Sequence, residues 1–292
     1  MNKEFKRIGL ICKPDSPEIA HTIQSLHTFL SEMDLSICID PESSKYISVG
    51  DEYILKHSAL IEQSDLIISI GGDGTLLGAA RALVNSNVPL IGINLGRLGF
   101  LVDISPTEMQ LQIKEILNGN YHEEKRIILN AKVIRKGELI YQQSAFNDVV
   151  IHRAQSPGVI EIDTTVDNVL LNSQRSDGLI IATPTGSTAY SLSGGGPLMQ
   201  PSMNALILVP VNPHTLSNRP IVIDGDSKVD IRFSQRNYHQ AQLSCDNILA
   251  PTILEGDTIS IQRHEQRIHL LHPPEHNFFE ILRVKLNWGR TP

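Results

Sequence analysis

The chain has 292 residues, of which 41% are hydrophobic and 20% charged, and its formal net charge is −7 at pH 7. That length accommodates one large domain or two ordinary ones, the composition is that of a soluble globular protein, and the acidic balance disfavours nucleic acid as a partner. No apolar run approaches the roughly 20 residues of a membrane span, and residues 1–12 lack the apolar stretch of a signal peptide. We therefore expect a cytoplasmic protein that does not bind membranes.

The first third of the chain alternates apolar runs of strand length with stretches of helical spacing. The strands are predicted over residues 7–12, 35–39, 65–70 and 89–94. The helices are predicted over residues 17–33, 53–63, 75–84 and 105–119, the last beginning with a capping box from Ser105 to Glu108. Strands and helices in this alternation are typical of a parallel sheet covered on both faces. We predict an N-terminal α/β domain over residues 1–124.

Beyond residue 125 the pattern changes to short β-rich runs separated by turn residues such as Gly137 and the pair Asp167-Asn168. The strands are predicted over residues 127–135, 139–145, 149–152, 159–166, 178–182, 206–209, 229–233, 241–244 and 257–262. This pattern predicts a mostly antiparallel, sandwich-like domain over residues 125–275. Residues 278–288 are helical or extended, and we expect residues 276–292 to complete the first domain.

The cysteines and histidines provide no evidence for a disulfide or a metal site. Three widely spaced cysteines indicate buried thiols rather than a disulfide framework. His269, His272 and His276 are close in sequence, but Pro273-Pro274 interrupts any helix that could place them on one face. We therefore predict no histidine metal site.

A glycine-rich turn follows the strand at residues 65–70, with the sequence Gly71-Gly72-Asp73-Gly74-Thr75. Glycines before a helix let backbone N–H groups approach a phosphate, and the helix N-terminus favours negative charge. Asp73 would repel phosphate unless it holds a cation or accepts a proton from an attacking hydroxyl. A purely structural turn, with Asp73 as a helix cap, remains the alternative. The chain contains neither a P-loop motif nor a G-x-G-x-x-G after its first strand, which excludes a P-loop NTPase and disfavours an ordinary Rossmann dehydrogenase.

A second motif follows the strand at residues 178–182 and runs from Thr183 to Pro197. Its hydroxyl side chains and backbone donors suit phosphates and ribose hydroxyls, and Tyr190 is suited to cover a planar base. The run Gly194-Gly195-Gly196 permits close backbone approach. A flexible Ser/Thr/Gly linker is the alternative, which the preceding strand and the non-repetitive sequence disfavour.

These motifs together resemble one enzyme family. The glycine turn is similar to the signature shared by NAD kinases, diacylglycerol and sphingosine kinases and, in a Ser variant, 6-phosphofructokinases. Residues 176–197 resemble the NAD-binding signature of bacterial NAD kinases nearly residue for residue, and residues 94–101 and 209–220 resemble two further stretches of that family. The resemblance extends along essentially the whole chain, and lipid kinases lack the segment from Thr183 to Pro197.

The resemblance implies a reaction in which the γ-phosphoryl group of ATP passes to the adenosine ribose 2′-hydroxyl of NAD to give NADP. It implies a divalent cation, usually Mg²⁺, and a homodimer or homotetramer. Asp73 lies at the family's catalytic aspartate, where it would orient the hydroxyl, accept its proton or place the metal. Gly74 lies next to the same ligand. The other residues that the resemblance assigns to the NAD site are Asn147, Asp148, Arg175, Asp177, Thr188, Ala189, Tyr190, Ser191, Leu192 and Ser193.

Two departures and one charge problem accompany this resemblance. The family usually has Asn-Glu where this chain has Asn147-Asp148, and Asp-Gly-Gln where it has Asp246-Asn247-Ile248. An acidic protein that binds polyanions must also concentrate cations at its site, for which Arg97, Arg175 and a bound metal are the candidates. An arginine at position 175 further implies ATP rather than polyphosphate as the donor.

Two other functions remain open on the sequence. A lipid or sugar kinase sharing only the glycine turn would form no NADP. A non-catalytic sensor of NAD(H) or NADP(H) would bind nucleotide without turnover, although the intact Asp73 disfavours it.

Overall fold

The computed structural model describes residues 5–13, 16–96, 99–154, 159–233 and 241–289. The chain divides into two compact units, Met1–Lys125 with Ile268–Pro292, and Arg126–Arg267. The return to the first unit therefore occurs at residue 268, whereas the sequence placed it at 276. Among the described residues no helix has the length and apolar character to cross a membrane.

The helices and strands are numbered here in chain order. The elements up to residue 126 are β1 (Arg7–Cys12), α1 (Ile19–Ser31), β2 (Ser36–Ile39), α2 (His57–Gln63), β3 (Leu66–Ile70), α3 (Asp73–Ala82), β4 (Leu90–Ile93), α4 (Met109–Leu117) and β5 (His122–Arg126). Those of the second unit are β6 (Leu129–Arg135), β7 (Glu138–Ala145), β8 (Asp148–Arg153), β9 (Ile160–Val166), β10 (Val169–Ser176), β11 (Gly178–Ala182), α5 (Tyr190–Ser193), β12 (Ala205–Val211), β13 (Ile221–Asp224), β14 (Val229–Phe233), β15 (Ala241–Cys245), β16 (Ile248–Leu249) and β17 (Thr258–Arg263). The last two elements are β18 (Ile268–His272) and α6 (Phe278–Leu286).

The first unit is built on a six-stranded sheet in the order β2-β1-β3-β4-β18-β5. Strands β1, β2, β3, β4 and β18 are joined by parallel pairs. All five residues of β3 are buried, and all except Ser69 are apolar, as expected of a strand covered on both faces. The α/β domain predicted from the alternation of strands and helices is confirmed, and pairing of β18 with β4 explains why residues 268–275 belong here.

The helices of the first unit agree with their predicted spacing but differ at their ends. Helix α1 buries an apolar stripe that includes Ile19, Ile23, Leu26 and Leu30. Helix α4 begins at Met109 and not at residue 105, although the Glu108 amide donates to Ser105 Oγ at 3.3 Å as a capping box requires. The capping bond therefore forms one turn before the regular helix.

Two histidines meet at the turn between β18 and α6. The His276 amide donates to the Pro273 carbonyl at 3.0 Å, which folds the chain back after β18. The rings of His272 and His276 stack with centroids 3.9 Å apart. No helix forms across Pro273-Pro274, as expected, but the proline turn nonetheless brings His272 and His276 together.

The second unit is a sandwich of two antiparallel six-stranded sheets, in the orders β10-β9-β14-β17-β6-β7 and β13-β12-β11-β8-β15-β16. Strand β9 alternates buried and half-buried residues, as expected when one face packs and the other is more open. One core cluster contains residues of both sheets, among them Ile162, Ile231, Ile151 and Leu208. The predicted sandwich-like architecture is confirmed, and the three cysteines are free and buried as expected.

Three strands of this unit, β10, β13 and the two-residue β16, were missing from the sequence interpretation. Strand β10 pairs with β9 across the turn Asp167-Asn168, whose φ angles are 49° and 65°. Its residues are mostly exposed and polar, so its composition carries little strand signal. Strand β13 is likewise a mostly exposed edge strand beside β12. Both are held mainly by backbone pairing.

Candidate active site

The glycine turn of the first unit connects β3 to α3. The Gly71 amide donates to the Ile93 carbonyl at 2.9 Å, which holds the start of the turn against β4. A Cβ placed on Gly72 or Gly74 would meet no atom within 4 Å, so both positions face open space. Helix α3 begins at Asp73, so its N-terminal end lies at this turn. The turn can therefore receive a phosphate against its backbone.

The carboxylate of Asp73 is held by three consecutive backbone amides. Phe100 donates to Oδ2 at 3.0 Å, and Leu101 and Val102 donate to Oδ1 at 3.1 and 3.3 Å. A Cβ on Gly99 would lie 2.0 Å from Asp73 Oδ1, so the close approach requires glycine there. Asp73 makes no capping bond to its own helix, which rules out the helix-cap alternative in this structure. A carboxylate has about four acceptor positions, so one on Oδ2 remains for a ligand.

A cation next to this turn was overlooked in the sequence. Lys13 follows β1, is exposed, and donates its amide to the Ile70 carbonyl at 2.9 Å. Its Cβ lies 3.2 Å from the position that a Cβ on Gly71 would occupy. Arg97, the cation suggested by the sequence, lies outside the described residues. A lone lysine after a strand carries no signal until the parallel sheet places it beside the turn.

In the second unit, the backbone of Asn147 and Asp148 is held by a similar set of hydrogen bonds. Asp246 accepts the amide of Phe146 on Oδ2 at 2.8 Å, and those of Asn147 and Asp148 on Oδ1 at 2.8 and 3.2 Å. Asp246 and Asn247 have φ angles of 46° and 65° and form the tight turn between β15 and β16. Asparagine tolerates this left-handed backbone, which explains how Asn247 stands where the family usually has glycine.

Asp148 lies at the start of β8 with only 5% of its surface exposed. Burial, and then the nearby charge of Asp246, raise the pKa of the Asp148 carboxyl to about 7. Within the described part of the chain, no group donates a hydrogen bond to this carboxylate, and the side-chain amide of Asn147 is likewise uncommitted. The pair therefore offers hydrogen-bonding groups that a polar ligand can satisfy.

The segment from Thr183 onwards is anchored to this pair. Thr183 donates its amide to the Asn147 carbonyl at 2.9 Å and its hydroxyl to the Phe146 carbonyl at 2.7 Å. A Cβ on Gly186 would lie 2.1 Å from the Asn147 carbonyl oxygen, so only glycine permits this packing. Farther along, Met199 packs with residues of β8, β11 and β12 on the sheet face that the sandwich core does not use. The segment from Thr183 to Met199 therefore packs on the outer face of this sheet and is not a flexible linker.

A cavity of about 400 Å³ adjoins this segment on the same sheet. Its lining consists of Val150, His152, Arg153, Asp177, Gly178, Tyr190, Val211, Asn212, Ser244 and Asn247. Tyr190 leaves 47% of its surface exposed, which is enough for a planar group to stack on its ring. Asn212 Nδ2 donates to Asp177 Oδ2 at 2.9 Å and fixes that carboxylate at the wall. The cavity has the size and polarity of a small-molecule site.

The remaining predicted residues of this unit take different positions. Ser191 is fully buried and its hydroxyl has no hydrogen-bond partner in the described chain. Thr188 donates to the Thr185 carbonyl at 3.2 Å, and Ala189 and Leu192 are half-buried. Ser193 is exposed. Arg175 is an exposed residue of β10 that forms no salt bridge with a described residue, so its guanidinium is available to an anion.

The sequence interpretation did not select Asp246, His152 or Asn212 as site residues. Asp246 was noted only as part of a departure from the family pattern, because its role depends on amides 98 to 100 positions away in the sequence. Another cavity, of about 590 Å³, lies in the first unit at the edge strand β2 and is lined by none of the predicted site residues.

A glycine turn with a positioned carboxylate, and a polar cavity with an exposed tyrosine, are the features of a nucleotide-dependent phosphotransferase. Residues 8–121 match the ATP-NAD kinase N-terminal domain, and residues 146–272 match the ATP-NAD kinase C-terminal domain. The chain belongs to the ATP-NAD kinase family.

Individual relatives agree with this assignment. The chain is 48% identical to an NAD kinase of Methylococcus capsulatus and 43% identical to one of Pseudoalteromonas translucida, in each case over 99% of both chains. The crystal structure of yeast NADH kinase complexed with NADH is similar with a TM-score of 0.89 and 25% identity, over 99% of this chain and 89% of that one. An NAD kinase from Archaeoglobus fulgidus in complex with ATP shares the fold, with a TM-score of 0.73 and 23% identity over 96% and 98%.

Proposed function

We propose that this chain transfers the γ-phosphoryl group of ATP to the adenosine ribose 2′-hydroxyl of NAD, forming NADP and ADP. The observation that carries the proposal is the acceptor position left open on Asp73 Oδ2, beside two glycines that face open space. A hydroxyl that donates to this oxygen is held in place and can pass its proton there late in the reaction. Family membership supports NAD and ATP as the two substrates.

The first unit handles the phosphates in this proposal. The N-terminus of α3 and the exposed ammonium of Lys13 provide positive charge at the glycine turn. In-line phosphoryl transfer depends mainly on such positioning and charge neutralisation. Because Asp73 is held by the amides of residues 100–102, it stays rigid while a substrate hydroxyl approaches.

The residues at the turn can supply one carboxylate lone pair to a magnesium ion. Mg²⁺ in phosphoryl-transfer sites keeps several waters and takes one or two carboxylates plus phosphate oxygens. Asp73 can offer a single lone pair, since its other acceptor positions are used by backbone amides. When bound with ATP, the ion would neutralise phosphate charge. The remaining acceptor position on Asp73 Oδ2 can therefore bind either the substrate hydroxyl or the metal.

The second unit binds the acceptor nucleotide in this proposal. The uncommitted groups of Asn147 and Asp148 accept and donate hydrogen bonds to ribose or amide groups. Tyr190 stacks on a base, and Asp177, held by Asn212, accepts a ribose hydroxyl at the cavity wall. Gly74, Thr188, Ala189, Ser191, Leu192, Ser193 and Arg175 line or support the same nucleotide sites in the family pattern.

We propose further that the protein acts as a homodimer or homotetramer in the cytoplasm. Its three free, buried thiols suit a reducing compartment. Sedimentation velocity at several concentrations measures the subunit number. A purely monomeric protein with full activity would contradict the proposed homodimer or homotetramer.

One assay tests the reaction. Purified protein is incubated with NAD, ATP and Mg²⁺, and NADP is measured by coupling to an NADP-specific dehydrogenase. We expect NADP formation that is abolished by EDTA and much slower with polyphosphate as donor. NADH is tested as a second acceptor, because a structurally similar protein is a yeast NADH kinase. Absence of NADP from all donor combinations would reject the proposal, and nucleotide binding without turnover would favour the sensor alternative.

The role of Lys13 is tested in the same assay. Lys13→Ala should raise the KM for ATP roughly tenfold and leave the KM for NAD nearly unchanged, since one phosphate contact by a charged group is worth about 1–2 kcal/mol. Lys6→Ala, which changes a lysine before the same strand, is the control. Equal KM values for ATP in the wild type and Lys13→Ala would remove Lys13 from the phosphate site.

A further inference from the structure

A cluster of histidines and carboxylates lies in the first unit and includes Asp103, the residue after Val102, whose amide donates to Asp73. It contains His272 at the end of β18, His276 before α6, Asp103, and Glu124 and His122 on β5. Within the described part of the chain, Asp103, His272 and His276 form the group of side chains whose ligand atoms lie within 4.8 Å of one another. The proposed phosphoryl transfer does not use these residues.

The Asp103 side of the cluster is closed by hydrogen bonds. Asp103 Oδ2 lies 2.9 Å from His272 Nδ1 and 2.6 Å from His276 Nδ1. These are distances of charge-assisted hydrogen bonds, in which each imidazole donates its Nδ1–H to the carboxylate. In a neutral imidazole with its proton on Nδ1, the lone pair is on Nε2. Both rings therefore direct their Nε2 atoms away from Asp103.

The Nε2 atoms face Glu124 at a different spacing. His272 Nε2 lies 3.5 Å and His276 Nε2 lies 3.7 Å from the Glu124 carboxylate oxygens. His122 Nε2 lies 3.8 Å from Glu124 Oε1. These separations exceed a hydrogen bond, but atoms that share a tetrahedral ion at about 2.0–2.2 Å lie roughly 3.3–3.6 Å apart. The distances from Glu124 to His272 Nε2 and to His276 Nε2 are therefore close to the separation of two ligands on one ion.

One nitrogen in this arrangement is buried without a partner. The side chain of His276 is only 3% exposed, and its Nε2 makes no hydrogen bond within the described chain. A buried lone pair directed at a carboxylate is unfavourable, and either a proton on the nitrogen or a metal cation between the two groups removes the repulsion. The carboxylates of Asp103 and Glu124 face the nitrogens of the two rings, so this position suits a positively charged group.

A cavity of about 200 Å³ adjoins the cluster. Asp103 and His276 line it, together with Glu275 and Glu280. The carboxylates would attract cations toward the cluster. Imidazole nitrogens select zinc-like transition metals over Mg²⁺, which prefers oxygen ligands.

We propose that His272, His276 and Glu124 bind one divalent transition-metal ion of the zinc class, with His122 as a fourth ligand. Asp103 is the carboxylate that orients both imidazoles through their Nδ1–H groups, as outer-shell carboxylates do at histidine metal sites. The ion joins β5 to the turn after β18 and so fastens the C-terminal return of the chain to the first unit. It is separate from the Mg²⁺ that accompanies ATP.

Zinc content tests this site directly. Tag-free protein is stripped with EDTA and dialysed against limiting Zn²⁺ with a large excess of Mg²⁺, and bound zinc is measured by mass spectrometry. We expect about one zinc per chain in the wild type and in the control His21→Gln, which changes an exposed histidine of α1. Glu124→Gln and His276→Phe should lose at least nine-tenths of it. Less than a tenth of an equivalent in the wild type, or equal zinc in the wild type and both variants, would overturn the proposal.

The ligand type is tested without any substitution. X-ray absorption of the zinc-loaded wild type should show two or three nitrogens and at least one oxygen at about 2.0–2.1 Å. The Co²⁺ form should show the intense visible absorption of a tetrahedral site. A shell of oxygens alone contradicts the proposal. Zinc should also raise the Tm of the wild type, by roughly 2–6 °C, and not that of Glu124→Gln.

Discussion

Asp73 in the first unit and Asp246 in the second each gather three consecutive backbone amides, from residues 100–102 and 146–148. The two carboxylates differ in what surrounds them. Asp73 opens a helix beside Gly72 and Gly74, which face open space. Asp246 lies in a tight left-handed turn, next to the buried carboxyl of Asp148.

A carboxylate that accepts three consecutive amides therefore has a different function in each unit. A carboxylate with open space beside it remains accessible to a substrate, whereas one enclosed by a turn serves to shape a neighbouring segment. Asp73 therefore anchors a loop and remains available for chemistry, while Asp246 positions the pair Asn147-Asp148 and acts on substrate through them. Variants of the two residues should consequently affect different kinetic and thermodynamic quantities.

The largest effect is expected from Asp73→Ala. Loss of the group that orients and deprotonates the hydroxyl should lower kcat by about 10²–10⁴-fold, with a lower Tm because three amides lose their acceptor. Initial rates of NADP formation and thermal melts measure both. Asp51→Ala, at an exposed aspartate of the first unit, is the control and should change neither. A variant with normal kcat and reduced Tm would leave Asp73 with a structural role alone.

Asp246→Ala should affect stability and the KM for NAD more than kcat. The buried amides of residues 146–148 lose a charged acceptor, so the free energy of unfolding should fall by about 3–4 kcal/mol and the KM for NAD should rise more than kcat falls. Asp167→Ala is a matched control, because Asp167 also has positive φ but accepts only the Lys228 amide, at 2.8 Å. Urea unfolding compares the two. Equal losses would mean that the left-handed turn, and not the three amides, accounts for the effect.

The raised pKa of Asp148 predicts a stability that depends on pH. Below about pH 4 the carboxyl is protonated in both states, and between that pH and about 7 the unfolded chain releases a proton that the folded chain keeps. Stability should therefore decrease as the pH rises, by about 2–3 kcal/mol from pH 5 to pH 8 relative to Asp148→Asn. Urea unfolding of both proteins at each pH measures this difference. A constant difference between them would contradict the raised pKa.

Tyr190→Ala should have the smallest effect. Loss of a stacking surface for the base should raise the KM for NAD about fivefold to tenfold, or roughly 1 kcal/mol, while Tyr190→Phe remains within about twofold of the wild type. Tyr53→Ala is the control, since Tyr53 is similarly exposed but lines the larger cavity at β2. A larger effect from Tyr53→Ala would move the NAD site to that cavity.

The sequence predicted the architecture well wherever burial leaves a strong periodic pattern. Strand β1 was predicted with its exact bounds and β3 to within one residue, because both are apolar runs packed inside the sheet. The strands β10, β13 and β16 were missed, since each is a mostly exposed strand at the edge of a sheet and lacks the alternation of buried and exposed residues that marks an inner strand. The helix predicted from residue 105 begins at Met109, because the capping bond from the Glu108 amide to Ser105 forms in the turn before the regular helix.

The sequence by itself determined the family and the candidate residues, because the glycine turn and the segment from Thr183 to Pro197 are contiguous runs whose chemistry is local. Only the tertiary structure decided which groups meet. It placed the amides of residues 100–102 on Asp73, those of residues 146–148 on Asp246, and His272 beside His276 across two prolines. Such contacts join residues distant in sequence or separated by turns, and their geometry follows from how strands pair and chains fold back.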